Sequence, residues 1–305
     1  MNRKTKQILG RVSSITLLAV LALFVNHYRN TPENESSMEI AKRADIVEVH
    51  FIDVGQGDAI LIEADDTAML IDAGENNKGT VVTDYLESQD ITKLDYVIGT
   101  HPHSDHIGGL DTVVSNFEVD KVILPSVTHT TDAFEDFLGS LEENELRITT
   151  AVVGDQYYLG PATFTVVAPN SPHYEDLNNY SVGIKLIFGD TSFLLTGDAG
   201  KLSEDEMLAN GIDLSADVLK LSHHGSADSS SEAFLDIINP TYAIISVGKD
   251  NDYGHPHAET LQAMLDHDIK VYRTDEQGTV VFTSDGKNVS VNTQNYKITE
   301  DDLIN

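Results

Sequence analysis

The chain has 305 residues, 40% of them hydrophobic, enough for one large domain with a sizeable core. It contains no cysteine, so disulfides and thiolate metal ligands are excluded, and any metal must be held by His, Asp, Glu or water. Fifty acidic residues against 19 basic ones give a formal net charge of −31, which argues against a broad electrostatic footprint for nucleic acid and suits a solvated acidic surface.

The first thirty residues differ from the rest. "MNRKTKQILGR" is basic, and "SSITLLAVLALFV" (13–25) is mostly apolar but shorter than the roughly 20 residues a spanning helix needs. Residues 1–30 therefore read as an export signal peptide or, because no small-x-small cleavage site follows Val25, as a signal anchor with Arg3, Lys4, Lys6 and Arg11 held inside. The expected location is extracellular, either secreted or anchored to the outer face of the cytoplasmic membrane through this segment. Residues 31–44 are polar and lack an apolar period, as a tether would.

From Asp45 the pattern becomes regular. Short β-rich runs at 46–54, 58–64 and 67–74 are separated by Gly and Asp-Asp turns, 79–89 carries helical spacing, and 94–100 reads as a buried strand. Helices are predicted at 106–116, 131–144, 201–210, 229–238 and 257–266. Strands are predicted near 121–124, 147–152, 162–168, 182–188, 191–196, 216–221, 241–246, 270–273, 278–283 and 288–292. Strands followed by helices, twice over, predict an α/β fold of two face-to-face sheets with helices outside, an αββα four-layer sandwich. The domain is placed at 45–295, followed by an acidic tail over 296–305.

Between the predicted strand ending near Gly99 and the next helix stands "THPHSDHIGG" (100–109). Alternate residues His101 and His103 can face one way as the strand runs out, while Asp105 and His106 turn to a neighbouring point. One loop thus offers two ligands to each of two ions, with Gly108 and Gly109 allowing close packing. A preset H-x-H-x-D-H pattern arises by chance in about one chain of this length in a thousand, so a merely His-rich polar loop is a poor rival. Asp198 in "FLLTGDAG" follows an apolar strand, and its carboxylate emerges at a sheet end, although it could instead cap the following helix. In "LKLSHHGSADSSS" (219–231), His223 or His224 sits at a strand end. Ser226 and the serines after it lead into a helix whose free amides can receive a phosphate. Either histidine could protonate a leaving alkoxide there, or one could simply pack under the sheet. Asp53, Asp58 and Asp72 occupy early turns beside this region, with Asp72 suited to orienting an imidazole. Tyr96, Tyr180 and Tyr253 read as packing residues, and His50, His129, His173 and His267 as structural.

These motifs carry a resemblance. The loop at 101–106 resembles that of the metallo-β-lactamase superfamily. "HFIDVGQGDAILIE", "LIDAG", "THPHSDHIGGL", "FLLTGDA", "LKLSHHGS" and "YGHPH", in this order, resemble more narrowly the hydrolase domain of ComEC-type DNA-uptake competence proteins, over about 45–285. The resemblance implies that Asp198 bridges two metals and that His255, or its neighbour His257, is the last ligand, joining Asp105, His106 and Asp198. It leaves His101, His103 and Asp198 for the other site, because a third histidine is replaced by Asn179 or Ser181 within "NNYSVGIKL". That departure favours a weaker, water-completed site, with two divalent ions, zinc or manganese, as cofactors. ComEC-type proteins also carry a multi-span channel region, so a channel role does not carry over to this chain's single short apolar segment.

The expected function is an exported metal-dependent hydrolase: a phosphodiesterase or nuclease acting on DNA or another nucleic acid through a metal-held hydroxide. Asp105, His223 and His224 form the catalytic set, and Asp72, Asn179, Ser181 and Ser226 lie around the ligands or against substrate. Lys220 would locally offset the repulsion between the acidic surface and the substrate. A lactone, amide or thioester hydrolase of the same fold, or a metal-binding domain without turnover, are the alternatives. No protein partner is evident.

Overall fold

Two sheets account for the apolar runs from residue 47 to residue 291. The structure, a computed structural model, describes residues 46–304; the predicted signal segment and tether lie outside the described residues. No helix among the described residues is long and apolar enough to cross a membrane. The first sheet contains β1 (Val47–Phe51), β2 (Ile60–Ala64), β3 (Thr67–Ile71), β4 (Lys93–Ile98), β5 (Glu118–Leu124), β6 (Ile148–Thr150), β14 (Val280–Ser284) and β15 (Val289–Val291). Their order across it is β15-β14-β1-β2-β3-β4-β5-β6. The second contains β7 (Gln156–Leu159), β8 (Ala162–Ala168), β9 (Gly183–Phe188), β10 (Thr191–Leu195), β11 (Val218–Lys220), β12 (Tyr242–Ile245) and β13 (Lys270–Arg273), in the order β13-β12-β11-β10-β9-β8-β7.

Side chains alternate across each strand, so every strand with both faces covered reads as a continuous apolar run. Val47, Val49 and Phe51 of β1, Ile60 and Ile62 of β2 and Met69 and Ile71 of β3 point between the sheets, where they meet Phe164, Phe193 and Phe282. The opposite faces of β2 and β3, at Leu61, Ala68 and Leu70, are covered by helices α1 (Gly79–Ser88), α3 (Leu110–Asn116) and α4 (Asp132–Glu143). The outer face of the second sheet is covered by α5 (Lys201–Ala209), α6 (Glu232–Ile238) and α7 (Ala258–Asp266). The result is the expected four-layer αββα sandwich.

The segment 106–116 is not one helix. A single turn, α2 (Ser104–Ile107), is separated from α3 by Gly108 and Gly109. A Cβ on Gly108 would lie 2.3 Å from the Asn76 amide nitrogen, and one on Gly109 would lie 2.4 Å from the Ala73 carbonyl oxygen, so the break lets the backbones touch. Likewise α6 begins at Glu232 rather than 229, since the preceding serines form turns. The segment 296–302 is tied down: Tyr296 donates its amide to Val271 of β13, and Arg273 lies 3.4 Å from Asp302.

In the first sheet β1 is antiparallel to β2, while β3, β4 and β5 run parallel, so the ends of β1, β3 and β4 lie at one edge. In the second sheet β10, β11 and β12 are parallel and also end together. Loops leaving strands at such edges are where ligand-binding groups collect.

Candidate metal centre

Asp72 is the first residue past β3, with a left-handed backbone (φ 58°) that aspartate tolerates. Its buried carboxylate accepts hydrogen bonds from the Thr100 amide (2.8 Å) and hydroxyl (2.6 Å), and it lies 2.7 Å from His106 Nδ1. A proton on Nδ1 is therefore held by Asp72, which leaves Nε2 of His106 directed into the cleft. The Thr100 hydroxyl, having spent its proton on Asp72, can accept from His101 Nδ1 at 3.1 Å. The same logic turns His101 Nε2 inward, 3.0 Å from His103 Nδ1 and 4.0 Å from Asp198 Oδ2. Thr100 thus sets two imidazoles at once, a role that was not legible from its residue type.

Asp198 follows β10 and is 2% exposed. Its Oδ2 lies 3.2 Å from His106 Nε2, 3.4 Å from His224 Nε2, 3.9 Å from His223 Nε2 and 4.0 Å from His101 Nε2. It does not cap α5. That task falls to Asn179, whose Oδ1 accepts from the Gly200 and Ser203 amides at 3.2 and 3.3 Å. Ser181 accepts the Asp198 amide (3.0 Å) and lies 3.3 Å from His101 Nδ1. Of the two residues at the place of the missing histidine, Ser181 therefore positions Asp198 and His101, while Asn179 caps α5.

The "HHGS" segment departs most from expectation. His223 and His224 both have left-handed backbones (φ 51° and 54°) within a tight turn. His224 is buried, with Nδ1 2.8 Å from the Ser246 carbonyl and Nε2 3.3 Å from Asp105 Oδ2. Asp105, His106 and His224 present ligand atoms within 4.8 Å of one another, as do His101, His106 and Asp198. His224 therefore holds the place beside Asp105 and His106 that the resemblance assigned to His255. His255 sits farther out, its ring centroid 5.3 Å from that of His223 and 6.3 Å from that of His224. His257 is engaged in support: its Nδ1 accepts the Ala227 amide at 2.9 Å.

The phosphate seat predicted at the α6 start is filled by the protein itself. The amides of Ser230 and Ser231 donate to the buried carboxylate of Glu204 on α5, and Ser226 Oγ accepts the Asp228 amide. Lys220 is also reassigned. It is fully buried and its Nζ lies 2.8 Å from Asp58 Oδ2, so it neutralises Asp58 beneath the centre and cannot reach substrate. Asp53, exposed, caps its own turn by accepting the Gly55 amide. Tyr96, partly buried, packs against the core and Tyr180 is buried, whereas Tyr253 is 64% exposed. His50 lies against Tyr85 and Glu63, His129 against Thr131, and His267 against Asp236.

The electrostatics suit cations. Burial opposes charge on His106, yet Asp198, Asp105 and Asp72 carry its pKa well above the imidazole range. Burial also works to raise Asp198, but His106, His224 and His101 hold it well below the usual carboxylate range. Burial drives His101 well down, helped by His106, and lowers His103. His255 is pushed down to about 4 by burial and by the imidazoles of His223, His224 and His257. Nε2 of His106, Nε2 of His224 and Oδ1 of Asp198 are buried without an aligned hydrogen bond. Such orphaned donor atoms are costly in a dry core and are natural metal ligands. Above them opens a cavity of about 270 Å³ lined by Gln56, His103, Ser104, Asp105, Thr131, Asp198, His223, His224, Tyr253 and His255.

Comparison with known proteins places the fold in a family. Residues 52–249 match the description of the metallo-β-lactamase superfamily. ComE operon protein 3 of Bacillus subtilis (strain 168) is 33% identical over 253 residues, covering 77% of this chain and 33% of that protein. Competence protein ComA of Neisseria gonorrhoeae is 28% identical over 266 residues, covering 86% of this chain and 34% of that one. The chain thus spans about a third of the length of these relatives, both ComEC-type competence proteins. The fold matches that of the metallo-β-lactamase fold protein YhfI of Bacillus subtilis, with a TM-score of 0.53 at 14% identity over 79% of this chain and all of that one.

Proposed function

We propose that this chain, which belongs to the metallo-β-lactamase superfamily of metal-dependent hydrolases, cleaves phosphodiesters of nucleic acid outside the cytoplasm, through two divalent ions, zinc or manganese. The observation that carries the reading is the convergence on Asp198 of His101 and His106 from one loop and of His223 and His224 from another. His101, His103 and Asp198 would hold one cation, with Asp105, His106, His224 and Asp198 holding the other. Divalent cations supply a water of lowered pKa and neutralise charge on phosphoryl oxygens.

The protein's own groups do the rest. Asp72 and the Ser246 carbonyl keep the Nε2 atoms of His106 and His224 aimed inward. His223, half-buried on the cavity wall with Nε2 3.9 Å from Asp198 Oδ2, is placed to meet the leaving oxygen and deliver a proton to it. Ser181 holds Asp198 by its backbone, so that both carboxylate oxygens remain available to the centre.

One relative is named for competence, which suits a DNA substrate. One observation favours a second reading: Lys220 is buried, the net charge is −31, and among the described residues no Lys or Arg lines the cavity, as befits a small uncharged lactone, amide or thioester. The purified protein, supplied with manganese or zinc, should hydrolyse single- or double-stranded DNA and bis-p-nitrophenyl phosphate, and chelation should stop it. Hydrolysis of nitrocefin alone would overturn the phosphodiesterase reading.

A further inference from the structure

We propose that Tyr253 is a stacking platform for an unpaired nucleobase at the mouth of the cavity, an inference that rests on the phosphodiesterase reading and names what grips the substrate. Tyrosine, apolar at its ring and polar at its tip, is enriched where a surface is half dry and half wet, as at the mouth of a binding site. Tyr253 is 64% exposed and lines the cavity together with His103, His223 and His255. Its ring lies nearly parallel to that of His255, at 20° and 5.6 Å between centroids, so one face is already covered.

The ring is carried on a braced turn. The Tyr253 amide donates to Asn251 Oδ1 (3.1 Å), while Asn251 Nδ2 donates to the carbonyls of Gly248 (2.9 Å) and His255 (2.7 Å). A flat ring supported from behind on a tied turn loses little freedom when a second flat ring lands on it.

Charge selects what lands. Asp250 and Asp252 flank the turn, and Lys249, beside them in the chain, lies 3.9 Å from Glu276. Phosphates are repelled from such a rim, but a neutral base is not. Grip would then come from the metals at the scissile phosphate and from stacking beside it, which every base can supply. A base inside a duplex has both faces occupied, so the platform selects single strands and frayed ends.

The test compares a single-stranded oligonucleotide with one whose bases are abasic next to the cleaved bond, using the full protein loaded with manganese. The wild type should show a KM about tenfold lower for the base-bearing strand. In Tyr253→Ala this preference should collapse toward one, and Tyr253→Phe should restore it. Metal content and circular dichroism of the variants confirm intact protein. Cleavage of both substrates with equal KM by the wild type, or an unchanged preference in Tyr253→Ala, overturns the platform and leaves the phosphodiesterase reading standing. If neither oligonucleotide is cut, that reading falls, and calorimetric titration decides the platform by itself. Adenosine 5′-monophosphate binding that is weakened about tenfold by Tyr253→Ala upholds it, and equal binding of ribose 5-phosphate and adenosine 5′-monophosphate overturns it.

Discussion

Asp72 touches nothing that reacts, yet three of its contacts decide where His106 points. Asp72→Asn should weaken metal binding by about 10–100-fold, read by competition with a chelating dye, while leaving the far-ultraviolet spectrum unchanged. Asp198→Asn removes the charge that several imidazoles surround. It should lower hydrolysis by at least about 100-fold and reduce bound metal, measured by atomic emission. The 101–106 loop and Asp198 were legible in the sequence because their spacing itself brings donor atoms to a strand end. That His224 and not His255 stands beside Asp105 and His106 was not, because it depends on two consecutive left-handed residues that bury His224 and leave His223 on the cavity wall. Nor could spacing show that Lys220 and Asp58, 162 positions apart, neutralise each other.

Among the turns and helices, backbone approach matters as much as side-chain chemistry. Gly57 has φ 119°, and a Cβ there would lie 2.0 Å from the Asp105 carbonyl oxygen. Gly57→Ala should cost about 2–4 kcal/mol in urea denaturation and loosen metal binding by pushing Asp105 away. Gly139, inside α4, should do the opposite, because a methyl added there would meet no atom within 4 Å. Gly139→Ala should add about 0.5–1 kcal/mol. Glu204 joins α5 to the start of α6, and Glu204→Ala should cost about 2–4 kcal/mol by stranding the Ser230 and Ser231 amides. Burial raises the Glu204 carboxyl above its ordinary 4.5, against the pull of those hydrogen bonds. The folded state therefore holds that proton more tightly. The group's contribution to stability is greatest below pH 4.5 and is lost as pH rises through the folded value, a fall that Glu204→Gln should flatten. Most strands and helices were legible from period and turn residues. The short β7 was not, since "QYYL" is brief and its burial is uneven, and the 104–116 break was hidden because its cause is a neighbouring loop.

Across the whole molecule, the excess of acid acts on stability as well as on recognition. With a net charge of −31, like charges repel over the surface, and salt shortens their reach. Raising sodium chloride from about 0.1 to about 1 M should raise Tm by about 3 °C or more in a calorimeter, and a flat or falling Tm would contradict it. The pairing of β1 with β14 has a different consequence, one of timing. Val47 meets Ser284, and Phe51 meets Val280, so a strand made early in translation waits for partners made more than two hundred residues later. Until then one margin of the first sheet stands open, a template for stray strands. A ribosome stalled before residue 280 would therefore carry a nascent chain prone to sticking, and a shortened gene product ending there would be cleared by proteases instead of accumulating as a smaller enzyme.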